Sequence, residues 1–167
     1  MMSDELLDIV NEADEVVGQR LRSEIYSDKS RNFRVVNLFI RNDKGALWIP
    51  LRSPRKRLFP LAFDASMGGH VAAGESYQQA LERELMEELR IDSGLLEPKE
   101  IGRMTPHEHG VSAFMKVFLI ESNDVPDYNR DDFISFSWLM PDELLQQIHG
   151  GVTCKDDLPR MVEHLFL

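Results

Sequence analysis

A helix that gathers three glutamates on one face, directly behind a glycine-bearing loop, constrains this chain more than any other feature. Ser76-Tyr77-Gln78-Gln79 fits a capping box, in which the Ser76 hydroxyl and the Gln79 side chain satisfy free amides at a helix start, and the pattern predicts a helix running to about Arg90. Leu81, Leu85 and Leu89 recur at i+4 as an apolar stripe, while Glu84, Glu87 and Glu88 stand at i, i+3 and i+4. At the helical repeat those three carboxylates span about 100° of one face. Like charges so spaced cost roughly 0.2–0.5 kcal/mol a pair, and near a helix C-terminus they also oppose the macrodipole. A hard divalent cation offsets that cost, because Mg²⁺ favours oxygen ligands, takes few carboxylates and keeps waters that phosphates can replace. The plain alternative is the solvated face of an amphipathic helix. Met67-Gly68-Gly69-His70-Val71-Ala72-Ala73-Gly74-Glu75 tips the reading towards a site, since its glycines let backbone approach the same face.

Around that unit the chain alternates strand and helix signals. Val35 to Arg41, Ala46 to Leu51, Val111 to Glu121 and Phe133 to Trp138 are rich in β-branched and aromatic residues, with a weaker pair at Leu6 to Val10 and Val16 to Leu21. Asn42-Asp43-Lys44-Gly45 reads as a hairpin loop. Val111 to Ile120 is apolar on both faces, which predicts a place inside a sheet. Pro141-Asp142-Glu143 opens a second helix stopped by Gly150-Gly151, and Leu158, Met161, Val162 and Leu165 predict a third. Without regular βαβ alternation, this order predicts a mixed sheet with helices packed on it. No repeat or flexible linker divides the 167 residues, so one domain over 1–167 is expected.

Nineteen basic against 29 acidic residues leave a net charge of −10, which repels a nucleic-acid polymer over most of the surface. No apolar run is long enough for a membrane span, and the N-terminus lacks an export pattern. Cys154 is the only cysteine, which excludes an intramolecular disulfide and a cysteine metal cluster; a cytoplasmic home is the simplest expectation. Between Lys29 and Arg57, however, nine basic residues face a single acid, Asp43, so a polyanion would be steered there. Arg52 and Arg57 in Arg52-Ser53-Pro54-Arg55-Lys56-Arg57 are candidate phosphate clamps, with a solvated basic loop as the alternative.

Gly69-His70-Val71-Ala72-Ala73-Gly74-Glu75 followed by Arg83-Glu84-Leu85-Met86-Glu87-Glu88-Leu89-Arg90-Ile91 resembles the Nudix box, here spanning 69–91. Six of its required identities, Gly69, Glu75, Arg83, Glu84, Glu87 and Glu88, stand at the family's spacing, a coincidence expected about once per million starting positions. Arg90 departs, standing where the family has glycine at the turn leaving the helix. That position favours a left-handed backbone, costing another residue roughly 1–2 kcal/mol, and Gly94 four residues on suggests a longer helix that absorbs the change.

The resemblance implies a Nudix fold, an α/β/α sandwich on a mixed β-sheet, here with an extra N-terminal β-hairpin. It implies metal-dependent hydrolysis of a diphosphate linkage in a nucleoside di- or triphosphate or another nucleoside diphosphate derivative. Glu84, Glu87 and Glu88 would ligate Mg²⁺ or Mn²⁺, the Gly68 carbonyl would add a ligand, and Glu75 would pair with Arg83 to hold the loop on the helix. The general base varies in the family between a box glutamate and an acid on a later loop, for which Asp132 is the candidate; a solvated turn is its alternative. The layout also resembles the branch containing isopentenyl-diphosphate isomerase, but Gly68 occupies the place of that enzyme's cysteine, and of its histidines only His70 is matched. A Nudix fold kept as a nucleotide-binding module is a further alternative. His107-Glu108-His109 could share a strand face as a metal pair, but a loop fits better without a third ligand. Monomer and homodimer are both open.

Overall fold

Alternation along the central strands decides the architecture. In β3 (Arg34–Arg41), Val36, Leu38 and Ile40 point into one apolar cluster and Phe39 into another, as the period of two requires. β7 (Phe114–Glu121) repeats this, with Phe118 and Ile120 on the first side and Met115, Val117 and Leu119 on the second. Both faces must therefore be covered, and helices cover both.

The computed structural model describes residues 4–167. Its elements run β1 (Leu6–Val10), β2 (Val16–Leu21), α1 (Arg22–Ser27), β3, β4 (Leu47–Arg52), β5 (Met67–His70) and α2 (Tyr77–Glu84). β6 (Lys99–Met104), α3 (Pro106–His109), β7, β8 (Phe133–Leu139), α4 (Pro141–His149) and α5 (Leu158–Phe166) follow. The main sheet has the order β6-β7-β3-β4-β8. β3 runs parallel to β7 along its whole length, while its other edge pairs antiparallel with β5 at Val35 to Leu38 and reaches β4 at Arg41. This is a mixed sheet, with Leu81, Leu85 and Leu89 packed on one face and Leu144, Leu145, Leu158, Met161 and Val162 on the other.

β1 and β2 form a separate two-stranded sheet. Its strand β1 is stitched to the glycine loop: Ala73 N–H donates to the Leu6 carbonyl at 2.9 Å and Gly74 N–H to the buried Asp8 carboxylate at 3.0 Å. The N-terminal hairpin thus fixes the segment that leads into α2.

Several sequence expectations change. Met67 to His70, read as loop, is strand β5, because β3 supplies the pairing that two glycines would not favour alone. The strand expected from Val111 starts at Phe114, and it lies inside the sheet between β6 and β3. β6, α1 and α3 have no counterpart in the sequence reading, and His107-Glu108-His109 sits in α3. No helix among the described residues is long and apolar enough to cross a membrane.

Candidate active site

The carboxylate helix changes winding beside its three glutamates. α2 is α-helical to Glu84 and continues as a π-turn over Leu85–Leu89, the wider winding that recurs at functional sites. The helix then stops. Arg90 itself takes the left-handed conformation, at φ 50° and ψ 38°, so no extension towards Gly94 takes place and arginine occupies the glycine-type position. Its amide donates to the Met86 carbonyl and that of Ile91 to the Leu85 carbonyl, both at 3.2 Å, closing the turn.

The carbonyls exposed at this end recruit the loop before β8. Asn129 N–H donates to the Glu88 carbonyl at 2.8 Å, the Asn129 side-chain amide to the Glu87 carbonyl at 3.3 Å, and Arg90 pairs with Asp127 at 3.1 Å. This docking carries Asp132 to the carboxylate face. There Asp132 meets Lys56 at 2.6 Å, and its carbonyl accepts from Ser53 N–H at 2.8 Å.

Arg83 organises the other side. Its guanidinium grips Glu75 with two donors, at 2.9 and 2.8 Å, reaches the His70 carbonyl at 3.0 Å and contacts Glu84 at 2.7 Å and Glu87 at 3.5 Å. Glu75 also accepts from Ala72 N–H at 3.0 Å, so one arginine and one glutamate lock loop to helix. Gly69 leaves room for this arrangement, because a Cβ there would meet the Glu84 carboxyl in its present position and force it to shift. Gly68 presents its N–H to Glu88 at 3.1 Å, while a Cβ on it would press on the Asn37 amide oxygen.

Burial sets the electrostatics. It pushes the Glu84 carboxyl up to about 7, against the pull of Arg83 and with help from Glu87. Glu88, only 7% exposed, is raised well above the usual range by burial and by Glu84, with Lys56 pulling the other way. Among the described residues Glu88 is buried without an ion-pair partner of its own and Glu84 shares Arg83 with Glu75 and Glu87, an excess of carboxylates that a divalent ion relieves, so the donor set fits one. As they stand, among the described residues no three such groups converge on one point, since Glu84 and Glu87 are both turned onto Arg83.

Gly68, Glu84, Glu87, Glu88, Asp132, Arg52 and Arg57 line one cleft of about 320 Å³, despite spanning 80 positions of sequence. Glu75 and Arg83 lie behind it as the loop–helix pair. Arg52 departs from its expected part. It is 8% exposed and its guanidinium donates to Asp64 at 2.7 Å, to the Leu58 carbonyl at 3.2 and 2.8 Å and to the Phe59 carbonyl at 3.0 Å, which leaves little for a phosphate. Arg57 is exposed and stands in none of the described ion pairs that cleft-lining residues make, which are Arg22–Glu5, Arg52–Asp64, Lys56–Asp132, Arg83–Glu84 and Arg83–Glu87. Of the nine basic residues between Lys29 and Arg57, three line the cleft; Arg34 pairs with Asp14 and Arg41 with Glu121.

Sequence reasoning missed Arg22, Tyr26, Lys155 and Asp157 on the same wall. No local motif marks them, since they come from opposite ends of the chain and meet only in the fold. His70 lies among them, its Nε2 2.8 Å from the Tyr26 hydroxyl and its ring stacked on Phe33 with centroids 5.7 Å apart. Burial first, then Arg22, Lys155 and Arg83, holds His70 down at about 3, so the ring is neutral.

Comparison with known proteins agrees with this fold. Residues 31–156 match the model of the NUDIX domain. The chain is 52% identical over 167 residues to a protein of Nostoc sp. (strain PCC 7120) named as an uncharacterized Nudix hydrolase, covering 99% of each. It is 44% identical over 165 residues to a Nudix hydrolase of Deinococcus radiodurans, covering 99% of this chain and 96% of that one. A crystal structure of a D. radiodurans protein superimposes with a TM-score of 0.92 at 42% identity, covering 98% of this chain and 100% of that one.

Proposed function

The chain belongs to the Nudix hydrolase family, and on that footing we propose that it hydrolyses a diphosphate linkage in a nucleoside di- or triphosphate or another nucleoside diphosphate derivative, with Mg²⁺ or Mn²⁺ as cofactor. The observation that carries this reading is the buried Glu88 carboxyl, raised out of its usual range by burial and by Glu84, in a cleft that it lines together with Glu84, Glu87 and the cations Lys56 and Arg57. Glu84, Glu87, Glu88 and the Gly68 carbonyl hold the cation in this proposal. When bound, it supplies charge neutralisation on the phosphoryl oxygens and lowers the pKa of a coordinated water.

The remaining work falls to side chains. Asp132 receives the proton of the attacking water, with a box glutamate as the other candidate; its Oδ1 is occupied by Lys56 at 2.6 Å, which leaves Oδ2 for the water. Arg57 contacts phosphate, and Arg52 acts through the loop that presents Lys56 and Arg57. Arg83 and Glu75 keep the glycine loop against the helix so that the donors stay aligned. One domain over 1–167 is part of the same proposal, supported by two apolar layers that share the sheet. So is a cytoplasmic setting, supported by the lone Cys154.

The test is phosphate release from nucleoside di- and triphosphates, nucleotide sugars and dinucleotides with Mg²⁺ or Mn²⁺. Metal-dependent turnover of one class is expected. Glu88→Gln should lose more than the roughly 10–100-fold typical of a ligand's supporting contacts, with an unchanged circular dichroism spectrum. Wild-type rates in Glu88→Gln would refute the metal assignment, and silence on every substrate would favour a binding module.

A further inference from the structure

The wall made by Arg22, Tyr26 and Lys155 has no part in the chemistry above. Arg22 and Tyr26 lie on α1, ahead of the matched span 31–156, and reach the cleft because Ile25 packs with Leu7, Ile9 and Phe33 under the hairpin. Lys155 comes from the turn before α5. Tyr26, His70, Ser112, Lys155 and Asp157 line both the cleft and a side cavity of about 50 Å³, whereas Glu84, Glu87 and Glu88 line the cleft alone. On this wall Tyr26 and Lys155 therefore border a side cavity that the three glutamates do not line.

Its charges are available. Lys155 is half-buried and joins none of the ion pairs described for the cleft, and Arg22 meets Glu5 only at 3.9 Å. The neighbouring acid Asp157 is already engaged, accepting from Ser112 N–H at 3.1 and 3.2 Å and from its hydroxyl. Arg22, whose guanidinium lies 5.5 Å from the Tyr26 ring centroid, and Lys155 line the same cleft as the Tyr26 hydroxyl, with Glu5 and Asp156 as the other acids beside them, and these cations and donors match a compact multivalent anion.

We propose that Arg22 and Lys155, with the Tyr26 hydroxyl, form a seat for a phosphoryl group of the substrate separate from the diphosphate linkage at the carboxylates. The seat rests on reading the carboxylate end as the hydrolytic site, and it makes the enzyme select diphosphate compounds carrying a further phosphoryl group. Because the N-terminal segment delivers Arg22 and Tyr26, substrate choice rests in part on residues ahead of the matched span 31–156, with Lys155 contributed from within it.

Inorganic phosphate titrated into the full chain in EDTA, followed by calorimetry, tests the seat without metal or turnover. Wild type should bind in the millimolar range or tighter, Lys155→Gln and Arg22→Gln at least tenfold more weakly, and Arg103→Gln, which replaces an exposed cation of β6 outside the cleft lining, much like wild type. Wild-type affinity in both of the first two variants, an equal loss in Arg103→Gln, or no binding to wild type would each overturn the proposal. Kinetics add a second readout: Lys155→Gln should raise KM at least tenfold for a substrate with the extra phosphoryl group and leave KM unchanged for one without it. Equal effects on both substrates would overturn selection. If no substrate is hydrolysed, the hydrolytic reading fails while the phosphate titration still decides the seat.

Discussion

Arg83 faces Glu75, Glu84, Glu87 and the His70 carbonyl at once, so a single guanidinium ties the glycine loop to the carboxylate helix. Glu75 registers this directly: the Arg83 hydrogen bonds, then the Ala72 amide, hold its carboxyl below the usual 4.5 despite partial burial. A carboxyl lowered on folding contributes stability that is fully present above the unfolded value and is lost as pH falls through the folded one. Glu75→Gln should therefore cost about 1.5–3 kcal/mol at pH 7, the scale of a charge-assisted hydrogen bond. The gap in thermal midpoint between the two proteins should close on acidification below the unfolded value of 4.5. A gap that persists unchanged at low pH would assign the loss to packing instead of charge. At residue scale the gathering of Glu84, Glu87 and Glu88 around Arg83 and the glycine loop was legible, because fixed helical spacing sets which side chains share a face. Arg52 was legible only as a basic residue; its partners, Asp64 and two carbonyls, belong to a loop whose course depends on the fold.

That loop, 53–61, is an element held by a side chain. Phe59 and Leu61 both take positive φ, at 51° and 56°, a conformation costing a non-glycine residue roughly 1–2 kcal/mol. The Arg52 latch offsets it. Arg52→Lys retains a cation for Asp64 but cannot make the forked contacts to Leu58 and Phe59, so trypsin should cut at Lys56 or Arg57 about tenfold faster or more, with the global unfolding midpoint little changed. Equal cleavage rates would show that the loop holds itself. At the other end of the site, Arg90 carries the left-handed turn without glycine. Arg90→Gly should relieve that backbone cost and forfeit an exposed pair to Asp127 worth about 0–1 kcal/mol. A net gain of roughly 0.5–1 kcal/mol in denaturant unfolding is expected; a loss would mean that the Asp127 contacts outweigh the turn. α2 was readable from its cap and stripe, whereas α1, six residues long, is too short to show a period. β5 was hidden by Gly68 and Gly69, and β6 by its largely exposed, polar residues.

Across the whole molecule, the sheet joins what the sequence keeps apart. Its first face packs Leu81, Leu85 and Leu89, the back of the carboxylate helix, and its second packs α4 and α5, so the helix that carries the site rests on strands gripped from behind. Residues 4–30 complete the cleft through α1 while β1 pins the glycine loop, which links the N-terminal hairpin to the same body. Such shared strands predict one cooperative transition over the full chain. Leu85 and Met161 are both buried, on opposite faces. Leu85→Ala and Met161→Ala should each destabilise by about 2–5 kcal/mol, the cost of a large-to-small change in a packed core. Both should shift one urea transition, seen alike by tryptophan fluorescence and circular dichroism, with the slope unchanged. Trp48 lies in the first cluster, so fluorescence reports from the Leu85 side. If Met161→Ala moved the circular dichroism transition and left the fluorescence one in place, the two layers would unfold separately. The single domain proposed over 1–167 would then divide at the sheet.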